Sequence, residues 1–174
     1  DGREYYGTQI QANSPLTIQG IIEKRISALV GRKVRIATCS RLDAGVSALD
    51  FCVSFRLPAR FGKEQLKDYL NKSTPESLRF RAVVAKPMAF DAKRTPHRKT
   101  YIYGLDNGLD NPLEARYLWR VGRPLDIPVL EKALALFTGL HDFASFAALD
   151  SQCDRTQTFM PEVTSAACSS KGPG

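Results

Sequence analysis

The stretch Lys33-Val34-Arg35-Ile36-Ala37-Thr38-Cys39-Ser40-Arg41-Leu42-Asp43-Ala44-Gly45-Val46-Ser47-Ala48-Leu49-Asp50-Phe51-Cys52-Val53-Ser54-Phe55 decides the fold of this chain. Lys33 to Thr38 alternates charged and apolar residues, as a half-buried strand does. Ala48 to Arg56 returns as a second strand, rich in Phe and Val. Between them Asp43-Ala44-Gly45 reads as a turn, with Gly45 free to take a positive φ. A strand–loop–strand unit puts Arg41 and Asp43 at the end of a sheet, where rigid strands hold a loop in place. In a cleft, a guanidinium beside a carboxylate favours the ionised form, which is an anionic nucleophile or base. On an open surface the same pair merely fixes a turn.

Outward from this unit, Thr17 to Val30 has the pattern of an amphipathic helix. Thr17 is placed to cap it, Ile18, Ile21, Ile22, Ile26 and Leu29 form the apolar stripe, and Gly31 closes it. Glu23, Lys24 and Arg25 fall on the other face. Asp1 to Gln11 reads as a turn followed by a polar, aromatic stretch, or as a hairpin remnant with exposed tyrosines. Gly62 to Lys72 is a second helix with Leu66, Tyr69 and Leu70 on one face, broken by Ser73-Thr74-Pro75-Glu76-Ser77. Leu78 to Pro87 alternates Arg79 and Arg81 with Phe80 and Ala82, as a strand would. Helix, strand, strand, helix, strand is the ferredoxin-like α+β order with its first strand absent.

The next informative stretch is Phe90-Asp91-Ala92-Lys93-Arg94-Thr95-Pro96-His97-Arg98-Lys99-Thr100-Tyr101-Ile102-Tyr103. Lys93, Arg94, Arg98 and Lys99 suit phosphates, and the tyrosines offer faces to an unstacked base. A basic loop leading into an ordinary strand, Thr100 to Leu105, accounts for it equally well. Asn107 to Pro112 is turn-rich. Tyr117 to Val121 is strand-like, with Trp119 read as a core or interface residue. Asp126 caps a helix with Pro128 just inside its start, and Leu130, Leu134 and Phe137 line its apolar face. Gly139-Leu140-His141-Asp142-Phe143-Ala144-Ser145-Phe146 follows, and Arg155 to Thr158 begins like a strand.

Composition narrows the class. The chain has 174 residues and a net charge of +7, from 25 Lys and Arg against 18 Asp and Glu. An excess of this size favours a polyanionic partner, nucleic acid above all. The 4 cysteines form no C-x-x-C pair, so no metal site is expected. Cys39 and Cys52 lie in apolar strand contexts, where cysteine usually packs as a small hydrophobe. No signal-peptide or membrane-spanning pattern is present, and a cytoplasmic location is expected. The start at Asp1 and the tail 169–174 suggest a fragment ending in a flexible linker.

Ser40-Arg41-Leu42-Asp43-Ala44-Gly45-Val46-Ser47-Ala48 closely resembles the signature of the TruA-type tRNA pseudouridine synthases, G/S-R-T-D-A-G-V-H/S-A. Leu42 departs from it, standing where the family usually has threonine, whose hydroxyl could bond locally. Asp1 to Gln11 resembles the family's Y-D-G-x-x-Y/F-x-G-x-Q opening, Phe90 to Tyr103 its F-x-A-R…x-R-x-Y-x-Y block, and Gly139 to Phe146 its G-x-H-D-F-x-S-F segment. The resemblance covers about residues 1–158, in family order, but only part of a full family member. It implies two ferredoxin-like α/β-sandwich units with mainly antiparallel sheets beside a central cleft, with the first strand and the C-terminal part absent. Residues 1–88 would carry the catalytic loop and 89–168 the active-site tyrosine. It further implies an isomerase converting uridine to pseudouridine in tRNA, in the anticodon stem-loop, by a homodimeric enzyme. Asp43 is then the catalytic carboxylate, attacking C1′ or taking a ribose proton. Arg41 is its partner, and Tyr101 stacks on the uracil. Arg79, Arg81, Lys93, Arg94, Arg98 and Lys99 are the candidate RNA contacts. The reaction has no net redox change and adds nothing, so no cofactor is expected. A non-catalytic RNA-binding fragment and a structural fragment with no RNA role are the alternatives.

Overall fold

A computed structural model of the chain describes residues 1–14, 16–58, 60–95, 98–106, 112–146 and 162–163. It is a small mixed α/β protein with short sheets, in two compact units, Asp1–Arg98 and Lys99–Gly174. Ala92 is buried in the first unit, and its N–H donates to Ser54 Oγ at 3.0 Å.

In the first unit, α1 (Ile18–Val30) starts where the sequence says it should. Thr17 is extended and its Oγ1 accepts from Gly20 N, while Gly31 ends the helix at φ 73°. Its stripe packs on α2 (Lys63–Ser73). Ile22, Ile26, Val34, Ile36, Leu66 and Leu70 form the core, and Ile26 and Leu70 are 0% exposed. Glu23 does not lie on the outer face as expected. It is buried: its carboxylate accepts from Ile36 N at 3.1 Å and Gln19 Nε2 at 2.9 Å, and Arg35 pairs with it at 3.0 Å. A buried carboxylate is tolerable only when so bonded. Here it fastens α1 to the segment just before Ala37 and Thr38, which lead into the signature loop.

The expected strands are shorter than their patterns. β1 (Ala37–Thr38) and β2 (Val53–Ser54) pair antiparallel, Ala37 facing Ser54 and Thr38 facing Val53. The expected strand Leu78–Pro87 has no ladder partner among the described residues. It is held instead by Asn71, whose side chain accepts from Phe80 N at 2.8 Å and donates to Phe80 O at 3.0 Å. Between this segment and Phe51–Leu57 lies a cavity of about 1460 Å³ reaching down to Ile22, Leu66 and Leu70. The inward residues here are Phe80 and Val83, with Ala82 and Val84 exposed, so the alternation does not hold along the segment; a ladder also needs a neighbour at about 4.8 Å.

In the second unit β3 (Leu105–Asp106) and β4 (Trp119–Arg120) pair parallel. α3 (Ile127–Ala135) is capped by Asp126, which accepts from Val129 N at 3.0 Å, with Pro128 in its first turn. β5 (Gly139–Leu140) pairs antiparallel with β6 (Glu162–Val163), and Ala144–Phe146 form a short 3₁₀ turn. Trp119, expected in a core or interface, is 70% exposed within this unit. Arg155 to Thr158 lie outside the described residues, as does His97.

Candidate active site

The signature loop hangs between β1 and β2, and the residues that shape it come from the start of the chain. Thr8 brackets Leu42: Thr8 N donates to Leu42 O at 3.0 Å, and Leu42 N donates to Thr8 Oγ1 at 3.1 Å. Gly45 N donates to Tyr5 O at 3.1 Å, and Gly2 N donates to Ser47 Oγ at 2.9 Å. Within the loop Val46 N donates to Asp43 O at 3.2 Å, closing the turn with Gly45 at φ 80°. Thr8 and Tyr5 are buried, 1% and 4% exposed, and the Tyr5 hydroxyl is hydrogen-bonded to Ser77 Oγ. The opening stretch is therefore a brace under the loop, not a hairpin of exposed tyrosines; of its two tyrosines Tyr6 is exposed and Tyr5 buried. Two glycines at positions 2 and 7 flanking aromatics were the signal for it, since glycine recurs where backbones approach closely.

The loop is fixed through the Leu42 backbone, so no side-chain hydroxyl at that position is needed to shape it.

Gly7 shows how close the approach is. Its φ is +78°, and a Cβ added there would sit 2.5 Å from Leu42 O. Gly7→Ala is expected to combine left-handed strain of about 1–2 kcal/mol with displacement of the loop. Amide exchange at Leu42 and Gly45 should accelerate. Gly31→Ala is the control, because Gly31 has a similar φ of +73° with nothing within 4 Å. Equal loop protection in both variants would remove the brace from the account.

The brace leaves Arg41 and Asp43 on the outer side of the loop, both exposed. The ion pair expected between them is not formed among the described residues. The turn bonds use backbone atoms and leave both side chains reaching into solvent, where such a pair is worth about 0–1 kcal/mol. Neither residue lines the large cavity, although Leu42 and Val46 do. A shallower depression of about 410 Å³ lies against the turn, between Ala44-Gly45 and Arg3 to Tyr6.

The basic candidates divide. Lys93 and Arg94 project from a turn organised by Asp91, whose Oδ1 accepts from Lys93 N at 2.8 Å and Arg94 N at 3.2 Å. Arg79 is exposed on the unpaired segment. Arg81 is engaged, pairing with Asp50 at 3.3 Å and donating to Leu49 O. Arg98 is exposed at the end of the first unit. In the second unit Lys99 and Tyr101 are exposed, Tyr101 at 65%. His141 bonds locally to Thr138 O at 2.8 Å, and Phe143 and Phe146 cluster with Phe137 at centroid distances near 6 Å. Among the described residues no three His, Cys, Asp or Glu side chains could hold a metal ion, and no helix is long and apolar enough to cross a membrane.

The first unit thus displays Arg41 and Asp43 on a loop braced from the start of the chain. No protein-family model matches the chain. It is 36% identical over 148 residues to tRNA pseudouridine synthase A of Bacillus sp. (strain KSM-64), covering 84% of this chain and 61% of that protein. It is 33% identical over 152 residues to tRNA pseudouridine synthase A of Aquifex aeolicus (strain VF5), covering 87% and 63%. It is 32% identical over 166 residues to tRNA pseudouridine synthase A of Afipia carboxidovorans, covering 94% and 65%. The chain is thus similar to proteins named tRNA pseudouridine synthase A, and it spans a little over three-fifths of the length of these relatives.

Proposed function

We propose that this chain carries the catalytic loop of a tRNA pseudouridine synthase and converts uridine to pseudouridine in tRNA, within the anticodon stem-loop. The observation that carries the reading is the braced loop displaying Asp43, in a chain similar to proteins of that name. The reaction breaks the N1–C1′ glycosidic bond and remakes the link to C5. The base must first leave its stack. Asp43 then attacks C1′ or removes a ribose proton, and Arg41 occupies the gap left by the flipped base. Tyr101 stacks on the detached uracil while it turns. In this reading the two units are ferredoxin-like, and such an arrangement of the first would set a strand in the large cavity. The enzyme works as a cytoplasmic homodimer without a cofactor.

Incubation with tRNA lacking pseudouridine, followed by carbodiimide-dependent reverse-transcriptase stops, tests the reaction. New stops support it. Bound tRNA without stops would mean an RNA-binding fragment without activity, and absent binding at low salt would mean a structural one.

Arg79, Lys93, Arg94, Arg98 and Lys99 are the proposed phosphate contacts, with Arg81 a weaker one because Asp50 already holds it. The slope of log affinity against log salt should fall by about 0.7 for each single-stranded phosphate contact removed. Arg94→Ala should show that change and Arg81→Ala a smaller one. Equal slopes for the parent and Arg94→Ala, read by filter binding across a salt series, would exclude Arg94 from the interface.

A further inference from the structure

We propose that Cys39 and Cys52 are a redox modification site: they close a reversible cross-strand disulfide that clamps the two stems of the signature loop. The β1–β2 register sets the two residues opposite one another, and Cys39 N donates to Cys52 O at 3.0 Å. Cys52 N lies 3.4 Å from Cys39 Sγ, so that thiol already reaches across to the other strand. Facing residues of an antiparallel pair have Cα atoms about 4.5–5.5 Å apart, inside the range of about 4.4–6.8 Å that disulfides span. Both cysteines are thiols; Cys52 is exposed and Cys39 half-buried, so a small disulfide can reach the pair. The loop between them carries Arg41 and Asp43, and its stems are joined by a ladder only two residues long.

The chemistry is thiol–disulfide exchange with a low-molecular-weight disulfide such as oxidised glutathione. The Cys52 thiolate attacks one sulfur of the oxidant, forms a mixed disulfide and expels a thiolate. The Cys39 thiolate then attacks the Cys52 sulfur and expels the second thiolate. The protein loses two protons and two electrons, and the oxidant becomes two thiols. Burial, with Cys39 and Asp50, pushes the Cys52 thiol up, while Lys86 pulls the other way. The first attack therefore speeds up as pH rises and more thiolate is present. The effect on tRNA modification rests on the function proposed above; the disulfide itself does not.

The test uses the Cys153→Ser/Cys168→Ser chain with oxidised glutathione at mildly alkaline pH. The expected result is an intact mass lower by two hydrogens, a cross-linked peptide pair containing Cys39 and Cys52, and full reversal by dithiothreitol. Cys39→Ser in the same background should stop at the mixed disulfide on Cys52. Loop amides should exchange more slowly in the oxidised chain, and tRNA modification should drop several-fold and return on reduction. Glutathione adducts alone at completion, or a closed disulfide with unchanged loop exchange, would overturn the proposal. A closed disulfide with slowed exchange in a chain that modifies no tRNA in either redox state would support the redox site and overturn the proposed function.

Discussion

Asp43→Asn is expected to lower pseudouridine formation by about three orders of magnitude with tRNA affinity essentially unchanged. Asparagine has the same shape but can neither attack C1′ as an anion nor take a ribose proton. The substitution should cost the fold nothing, because the Asp43 side chain is exposed and only its backbone carbonyl closes the turn. Loss of a negative charge beside a polyanion does not weaken binding, so a collapse in rate at constant affinity isolates the chemical step. Single-turnover modification of tRNA by parent and variant, with affinity measured in parallel, is the comparison to make. A variant that keeps its rate would remove Asp43 from the chemistry altogether.

Ile26→Ala is the substitution with the largest expected effect on stability. Ile26 is wholly buried at the centre of the cluster formed by α1, α2, Val34 and Ile36. Emptying such a position costs about 2–5 kcal/mol, and Ile26→Val about 1 kcal/mol. Alanine is the better helix former, so the loss reports packing and not helix propensity. For a domain of ordinary stability this is a large fraction of the total. The urea midpoint should fall in the order parent, Val, Ala. A midpoint that does not move would mean the two helices are not packed through this residue.

Local signals gave the helices and missed the contacts between distant segments. Thr17, Gly31 and Asp126 mark helix ends through bonds made within a few residues, and each does so in the structure. The signature turn was legible for the same reason, since Asp43, Gly45 and Val46 make it among themselves. Strand lengths were not, because alternation in Leu78–Pro87 does not say whether a neighbouring backbone is there, and without one Phe80 and Val83, three residues apart, are the ones that pack on the core. Glu23 looked like a solvent-facing charge, since its partners Arg35 and Ile36 lie beyond the end of α1. The brace was missed because Gly2, Tyr5, Gly7 and Thr8 act on residues some 40 positions away. Family resemblance supplied candidate roles for Arg41, Asp43 and Tyr101 but not the hydrogen bonds that tie the Leu42 backbone to Thr8.

The brace also bears on how such a loop could be transplanted. The signature reads as one continuous motif, yet the groups that give it shape belong to another part of the chain. Grafting residues 40–48 alone onto a foreign hairpin would carry the arginine and the aspartate across, but not the Thr8 and Tyr5 groups that hold them out. The smallest portable unit is thus discontinuous: residues 1–8 together with 40–48, carried on a scaffold that keeps the two segments side by side.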